Sequence, residues 1–239
     1  MNWLPKIGFE VFFVNEKQVA GEKAAEFIQN GMLVGLGTGS TVYYSIRRIA
    51  ELVREGVHIV GVSTSKSTTE LAQSLGIELV SINDIGCVDI TIDGADEVDE
   101  DFNGIKGGGG ALFFEKIVAH ASKRVIWVVD SSKMVKRLGK SPLQIEVSPI
   151  GYKQVYSKLK LEGMGPVLRL ISGKPFLTDS NNYIIDLHSA ELNNPTKLAG
   201  WLKEIPGIIE HGLFINYVDQ VIVGRGDSAE IISSTIRGG

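Results

Sequence analysis

The clearest signal of the fold is Met32-Leu33-Val34-Gly35-Leu36-Gly37-Thr38-Gly39-Ser40-Thr41. Its first five residues form a short apolar run that predicts a buried strand. A helix is predicted over 40–55, where apolar residues recur at helical spacing at Val42, Ile46, Ile49, Ala50 and Val53. A strand that passes through glycines into a helix places free backbone amides at its end, and such amides can bind an anion.

Short apolar runs alternate with helical segments on both sides of this stretch. A helix is predicted over 15–30, and Asn30-Gly31 gives it a stop signal. Further strands are predicted at 57–62, 77–80, 88–92 and 125–129, and further helices at 66–75 and 111–122. Strands that are apolar throughout are typical of a parallel sheet between helices, which binds ligands at the carboxyl ends of its strands.

The pattern changes after Pro142. Strands are predicted at 143–147, 167–171, 182–187 and 213–216, with helices at 149–161 and 195–204. This β-α-β-β-α-β order predicts a split-βαβ unit, and residues 221–223 are predicted to return to the first sheet. We therefore expect an α/β protein: a Rossmann-like, mostly parallel sheet domain from residues 1–140 and 217–239, and a smaller ferredoxin-like α+β lid domain from 141–216.

Composition and charge are those of an ordinary globular chain. The 239 residues are 44% hydrophobic with a net charge of -4, so we expect no surface for nucleic acid or a membrane. Cys87, the single cysteine, excludes an internal disulfide. Residues 1–14 are apolar but interrupted, too short to span a membrane and unlike a signal peptide. We interpret them as an extension that packs on the body or on a neighbouring subunit, and we expect a cytoplasmic protein.

The first polar cluster is Gly35-Leu36-Gly37-Thr38-Gly39-Ser40-Thr41. It fails the dinucleotide-binding fingerprint because Ser40 stands where a glycine is needed, and it lacks the Gly-Lys of a P-loop. The alternative is a tight turn in which Ser40 and Thr41 cap the helix. For a second cluster of hydroxyl residues, 63–69, we favour helix capping over ligand binding.

The third cluster is Asp93-Gly94-Ala95-Asp96-Glu97, at the end of a predicted strand. Carboxylates there can act as acid, base or hydroxyl acceptors. Residues 99–104 match the first half of a calcium-binding loop, but its twelfth position is Gly110 rather than glutamate. We therefore expect no metal site, and we interpret 97–101 as a solvated acidic loop.

Two further clusters follow. Lys106-Gly107-Gly108-Gly109-Gly110 precedes a helix that carries Glu115 among apolar residues, where partial burial would raise the pKa of this carboxyl towards that of a useful base. Four consecutive glycines cost backbone entropy, and a bare loop beside a lysine can offer amides and a cation to an oxygen-rich ligand. Asp130-Ser131-Ser132-Lys133 follows the last strand of this half, where Lys133 could reach a phosphate.

Taken together, the clusters at 35–41, 93–97, 106–110 with Glu115-Lys116, and 130–133 resemble the A-type ribose-5-phosphate isomerase family. The resemblance runs in order from about residue 16 to the C-terminus. It implies a Rossmann-like catalytic domain with a small lid, no metal or organic cofactor, and a homodimer or homotetramer. The chain departs from the family at Phe113-Phe114, where a more polar pair is expected, and in residues 1–14, which have no counterpart.

The resemblance also implies a reaction and its residues. Ribose 5-phosphate and ribulose 5-phosphate, sugars of the non-oxidative pentose phosphate pathway, would interconvert through an enediol or enediolate. Glu115 would move the proton, Lys106 and glycine amides would stabilise the enediolate, and Asp93 with Asp96 would hold hydroxyls and assist ring opening. The substrate-binding set comprises these two aspartates and Lys106 with Thr38, Gly39, Ser40, Thr41, Gly94, Ala95, Gly107, Gly108, Gly109 and Lys133.

Three alternatives compete with this interpretation. An amino-sugar-phosphate deaminase or a phosphogluconolactonase would favour a histidine at the reacting centre, and the four histidines lie outside the polar clusters. A sugar-phosphate sensor without turnover would need a DNA-binding segment, and the chain has no basic helix-turn-helix region. A nucleotide-binding module is disfavoured by the failed fingerprint.

Overall fold

The computed structural model describes residues 15–188 and 192–234, so the interpretation of residues 1–14 lies outside it. That part of the chain contains six α-helices: α1 (Glu16–Ala25), α2 (Val42–Arg54), α3 (Lys66–Ser74), α4 (Leu112–His120), α5 (Tyr152–Leu161) and α6 (Pro195–Lys203). Its strands are β1 (Leu33–Leu36), β2 (Val60–Ser63), β3 (Ile90–Gly94), β4 (Glu97–Val98), β5 (Gly104–Ile105), β6 (Val125–Asp130), β7 (Leu143–Val147), β8 (Pro166–Leu168), β9 (Leu170–Ile171), β10 (Lys174–Pro175), β11 (Tyr183–Leu187), β12 (Ile208–His211), β13 (Leu213–Phe214), β14 (Gln220–Arg225) and β15 (Ser228–Ser233).

The larger sheet, here called the main sheet, has six strands in the order β15-β14-β6-β3-β1-β2. All neighbouring strands in it are parallel except β14 and β15, which form an antiparallel hairpin at one edge. β6 is buried from Val125 to Val129, as expected for a strand covered on both faces. The mostly parallel sheet and the return of 221–223 to it are as predicted, whereas β15 was not predicted.

The smaller sheet, here called the small sheet, has four antiparallel strands in the order β12-β7-β11-β8. With α5 and α6 it forms the predicted β-α-β-β-α-β unit, so the fold class is confirmed. The predicted position of its last strand, 213–216, is wrong because β12 ends at His211 and the chain then changes sheet at Gly212. Beyond Gly212, β13 pairs with β5 in a three-stranded sheet, β13-β5-β4.

Gly212 makes this change of sheet possible. Its N–H donates to the carbonyl of Gln144 at 2.7 Å, and its carbonyl accepts the N–H of Lys106 at 2.9 Å. A Cβ at Gly212 would lie 2.2 Å from the carbonyl oxygen of Lys106, so no larger residue fits there without displacement. The crossing therefore joins the small sheet to the segment that carries a predicted site lysine.

The interpretation of 97–101 as a solvated acidic loop is wrong at two positions. The side chain of Glu97 is buried and accepts the backbone N–H groups of Gly139, at 2.8 Å, and Ser141. Asp99 is also buried and accepts the N–H groups of Asp101, at 3.0 Å, and Asn103, at 2.8 Å. Both carboxylates satisfy backbone donors, a role that composition alone does not distinguish from solvation.

Two predicted elements are shorter than expected. Helix α1 ends at Ala25, and residues 26–31 turn into β1, where the N–H of Gly31 bonds to the carbonyl of His58 at 2.7 Å. The predicted strand at 77–80 is reduced to a single bridge between Gly61 and Leu79. Across the residues with a described placement, no helix has the length and apolar character needed to cross a membrane.

Candidate active site

A cavity opens where β1 and β3 end, between the start of α2 and the loop that precedes α4. Nearly all of the site residues predicted from the sequence line this cavity: Thr38, Gly39, Ser40, Thr41, Gly94, Ala95, Asp96, Lys106, Gly107, Gly108, Gly109, Glu115 and Lys133. They come from four separate segments of the sequence. Three of them follow the parallel strands β1, β3 and β6, whose carboxyl ends meet at one edge of the main sheet. The fourth, which carries Lys106 and Glu115, follows β5 of the three-stranded sheet.

Asp93 lies behind the cavity instead of lining it. Its Oδ1 accepts the N–H groups of Gly94, at 2.7 Å, and Thr38, at 3.1 Å. Its Oδ2 lies 3.0 Å from the Nζ of Lys106. The carboxylate is only 1% exposed, so it holds the glycine-rich turn on one side and the lysine on the other.

Gly37 leaves the space that the Asp93 side chain occupies. A Cβ at Gly37 would lie 2.1 Å from Asp93 Oδ1, a distance that requires displacement. We expect Gly37→Ala to lower kcat/KM at least tenfold because it displaces the carboxylate that orients Lys106. Steady-state kinetics would measure this, with Gly86→Ala as the matched control, since a Cβ there meets nothing within 4 Å. Equal activity of the two variants would contradict the prediction.

Lys106 is a buried cation between two carboxylates. Its Nζ lies 3.0 Å from Asp93 Oδ2 and 3.2 Å from Glu115 Oε1, and it also donates to the carbonyl of Gly94. Burial by itself lowers the pKa of this amine, but the charges of Asp93 and Glu115 outweigh it and raise the pKa above its ordinary value. Lys106 is therefore a permanent positive charge at the wall of the cavity.

Glu115 lies in the first turn of α4 and is 4% exposed. Lys106 holds its Oε1, whereas its Oε2 has no hydrogen-bond partner among the described residues. The pKa of Glu115 is raised to about 8, chiefly by burial; the charge of Lys106 opposes this rise and that of Asp93 adds to it. This is the effect of burial predicted from the apolar helix, and it gives a carboxylate suited to taking a proton from carbon.

The opposite end of the cavity can bind an anion. The N–H groups of Gly39, Ser40 and Thr41 donate to no protein acceptor in the described part of the chain, and they open α2, where the helix dipole is positive. Lys133 lines this cavity, and so does Lys17, whose Nζ donates to Ser40 Oγ at 3.0 Å. Free amides together with two cations are a typical phosphate-binding arrangement.

Lys17 was missed by the sequence analysis. It lies in the first turn of α1, where it reads as one more polar residue of a helix that precedes the first strand. It reaches the cavity because α1 packs closely on α2: a Cβ at Gly21 would lie 2.7 Å from the carbonyl oxygen of Thr41. No spacing or motif in the sequence signals this contact.

Glu16 connects the two lysines. Its Oε2 accepts from the N–H and the hydroxyl of Ser131 at 3.0 and 2.7 Å, and its Oε1 accepts from the N–H of Gly226 at 3.0 Å. The bond from Gly226, followed by those from Ser131, lowers the pKa of Glu16 below its ordinary value. The carboxylate thus fixes the turn that carries Lys133 to the helix that carries Lys17.

Comparison with known proteins decides among the enzyme classes considered above. The family described as ribose 5-phosphate isomerase A (phosphoriboisomerase A) matches residues 60–228. The chain belongs to this family. Ribose-5-phosphate isomerase A of Listeria monocytogenes serotype 4b is 52% identical over 215 residues, which are 90% of this chain and 96% of that protein.

Solved structures of ribose-5-phosphate isomerases agree with this. The enzyme of Methanocaldococcus jannaschii is 36% identical with a TM-score of 0.87, over 91% of this chain and 98% of that chain. Another, in complex with phospho-erythronic acid, is 37% identical with a TM-score of 0.88, over 91% and 97%. Membership of the ribose-5-phosphate isomerase A family confirms the predicted reaction, the interconversion of ribose 5-phosphate and ribulose 5-phosphate.

Side chains outside the cavity fit the ribose-5-phosphate isomerase assignment. None of the four histidines, all of which lie in the described ranges, lines the cavity, as the deaminase and lactonase alternatives would require. The hydroxyl residues of 63–69 form hydrogen bonds within the protein. Ser65 caps α3, and Thr68 Oγ1 donates to the carbonyl of Gly37 at 2.8 Å. Thr38 Oγ1 joins them, 2.8 Å from the hydroxyl oxygens of both Thr64 and Ser65.

Proposed function

We propose that Glu115 performs the isomerisation by moving one proton between C2 and C1 of the open-chain sugar. The observation that carries this proposal is its Oε2, a buried carboxylate oxygen without a partner among the described residues, beside an oxygen held by Lys106. Holding Oε1 fixes the direction of Oε2. A single base placed in this way can serve both carbons, because they are adjacent.

The movement of electrons in the reaction follows from this placement of Glu115. When Glu115 takes the proton from C2, the electron pair of the C–H bond forms the C1–C2 double bond, and the carbonyl electrons move onto O1. The resulting enediolate collapses when the proton is delivered to C1 and the hydroxyl proton of O2 passes to O1. Lys106 and the N–H of Gly109, which has no acceptor among the described residues, are the donors placed to stabilise the negative charge.

The two aspartates have different parts in this proposal. Asp96 lines the cavity, and its Oδ2 accepts the N–H of Gly108 at 2.8 Å. Its other oxygen can accept from a sugar hydroxyl and assist ring opening. Asp93, which lies behind Lys106, holds that ammonium and the turn at Thr38, so its part in catalysis is to orient both of them.

The phosphate is assigned to the far end of the cavity. The free N–H groups of Gly39, Ser40 and Thr41, with Lys17 and Lys133, would bind it there. Gly94 and Ala95 also line the cavity. Phospho-erythronic acid, held by the related isomerase, pairs a phosphate with a planar carboxylate whose carbon corresponds to C2 of the enediolate and one of whose oxygens corresponds to O2. We expect it to bind this cavity with its phosphate at the free N–H groups and its carboxylate towards Lys106.

The larger setting is also part of the proposal. Residues 1–140 with 217–239 would form the catalytic domain and 141–216 the lid, in a homodimer or homotetramer that works in the cytoplasm within the non-oxidative pentose phosphate pathway. The arrangement of the main and small sheets and the family relationship support it. Exposed apolar side chains on the small sheet and its connections, such as Val167, Leu170 and Ile171, favour contact with a second copy.

The test is conversion of ribose 5-phosphate in D₂O with EDTA present. We expect ribulose 5-phosphate that carries deuterium at C1, detected by NMR, because a proton held on a carboxyl group exchanges with solvent. Conversion without deuterium that persists in Glu115→Gln would indicate a hydride shift and refute the role of Glu115, and loss of conversion with EDTA would indicate a metal. Binding of ribose 5-phosphate without conversion would favour the sensor.

A further inference from the structure

We propose that Arg169, which follows β8 of the small sheet, is a positioning residue for the reaction. It orients the peptide between Gly108 and Gly109, so that the Gly109 N–H becomes a fixed donor to the enediolate. The inference rests on the proposed function, because it gives a structural cause for the donor role of the Gly109 N–H within residues 107–110, here called the glycine loop.

The glycine loop needs an external constraint. Gly107 and Gly110 adopt φ angles of 106° and 83°, and a turn closes the loop with the Gly110 N–H bonded to the Gly107 carbonyl at 2.8 Å. Gly108 and Gly109 are exposed. Glycine has more backbone freedom than any other residue, so the loop can hold donors in one place only if other residues fix its peptides.

Arg169 supplies this constraint at the carbonyl of Gly108. Its Nη1 donates to that oxygen at 3.0 Å, while the N–H of Gly108 donates to Asp96. The carbonyl of Gly108 and the N–H of Gly109 belong to one trans peptide, in which the two groups point in opposite directions. Fixing the carbonyl towards Arg169 therefore directs the Gly109 N–H away from Arg169. This N–H has no acceptor among the described residues, and Gly109 lines the cavity.

Arg169 is itself rigidly held. Its Nε donates to Asp186 Oδ2 at 2.9 Å and its Nη2 to Asp186 Oδ1, a bidentate pair that is mostly buried. Its guanidinium lies 5.7 Å from the centre of the Phe176 ring, and a Cβ at Gly110 would lie 2.5 Å from that ring. Arg169, just after β8, and Phe176, just after β10, thus contact the glycine loop at Gly108 and Gly110. A lysine could not replace this arginine, because one ammonium cannot reproduce the planar fork that bonds to both partners.

The experiment compares Arg169→Met with Arg48→Met. Arg48 also pairs with carboxylates, those of Glu51 and Glu55 on α2, but it does not line the cavity. For Arg169→Met we expect kcat to fall about tenfold or more while KM for ribose 5-phosphate changes less than about threefold, since a donor to the enediolate acts mainly in the transition state. Arg48→Met should keep the wild-type kcat.

Two inhibitors separate positioning from general damage. Phospho-erythronic acid presents a carboxylate to the glycine loop, so its Ki should rise with Arg169→Met by about the factor by which kcat falls. Inorganic phosphate should bind at Lys17 and Lys133, and its Ki should not change. Should Arg169→Met fold poorly, Asp186→Asn should shift the same constants in the same direction by a smaller factor, because it releases Arg169 without removing it.

Several outcomes would overturn the inference. These are an unchanged kcat in a folded Arg169→Met, equal weakening of both inhibitors, or an equal loss of activity in Arg48→Met. Failure of the proposed function is distinguishable from these results, because it would appear in the wild type, as absent conversion or as no inhibition by phospho-erythronic acid.

Discussion

Glu115→Gln is expected to lower kcat by about 10²–10⁴-fold, with little change in KM. Glutamine keeps the shape of the side chain and can still accept from Lys106, but it cannot take a proton from C2. Steady-state assays of ribulose 5-phosphate formation would measure the loss. Glu70→Gln, an exposed position on α3, is the control and should behave as the wild type. Full activity of Glu115→Gln would remove Glu115 from the mechanism while leaving the family assignment intact.

Glu115→Gln is also expected to change how the free energy of unfolding depends on pH. The folded-state pKa of Glu115, about 8, lies above the ordinary value of 4.5. Between these two values the folded protein keeps a proton that the unfolded chain has lost, so the free energy of unfolding falls as pH rises through this window. Glu115→Gln lacks this titration, so the wild type should lose stability relative to the variant from about pH 4.5 to pH 8. Thermal unfolding at several pH values would show it, and parallel curves would contradict it.

Lys106→Met is expected to lower kcat by about 10²–10³-fold, because it removes a cation that faces the enediolate oxygens. It should also destabilise the fold by about 3–5 kcal/mol, since the carboxylate of Asp93 would remain buried without its counter-ion. Kinetics and denaturant unfolding would measure the two effects. Lys123→Met, which breaks an exposed pair with Asp89, is the control and should change neither quantity appreciably.

The pH profile of Lys106→Met distinguishes its electrostatic role from simple damage. The charge of Lys106 lowers the pKa of Glu115, against the larger effect of burial, which raises it. Without Lys106, the pKa of Glu115 should rise further, so the acid limb of the residual kcat/KM profile should move to higher pH. A profile with an unmoved limb would show that Lys106 does not set the ionisation of the base.

Much of the site could be predicted because its residues follow strands of one parallel sheet. The turn at 35–41 and the aspartates at 93 and 96 each come at the end of an apolar run, and such ends meet at one edge. The local sequence therefore predicted both the strands and the edge of the sheet at which their ends meet. The position of Asp93 behind Lys106 could not be predicted, because Asp93 and Asp96 are equally polar in sequence. The room that Gly37 leaves is filled by Asp93, and this contact covers Asp93 while Asp96 lines the cavity.

Lys17, Arg169 and β13 could not be predicted for a different reason. Each owes its place to packing between segments that are distant in sequence: α1 against α2, the small sheet against the glycine loop, and the crossing at Gly212. Helical or strand periodicity describes one element at a time and does not record which element it will contact. The burial of Glu97 and Asp99 was missed for the same reason, since their acceptor roles depend on backbone donors elsewhere in the fold.

The crossing at Gly212 limits how far the small sheet can move away from Lys106. One residue accepts the main-chain N–H of Lys106 and donates to the small-sheet strand β7 through Gln144. Swinging the small sheet outward as a free flap would strain both bonds and loosen the lysine together with its ion pairs. A conformation with the small sheet swung outward would therefore be inactive. Amide protons at Lys106 and Gly212 should accordingly exchange with solvent in a single correlated opening event.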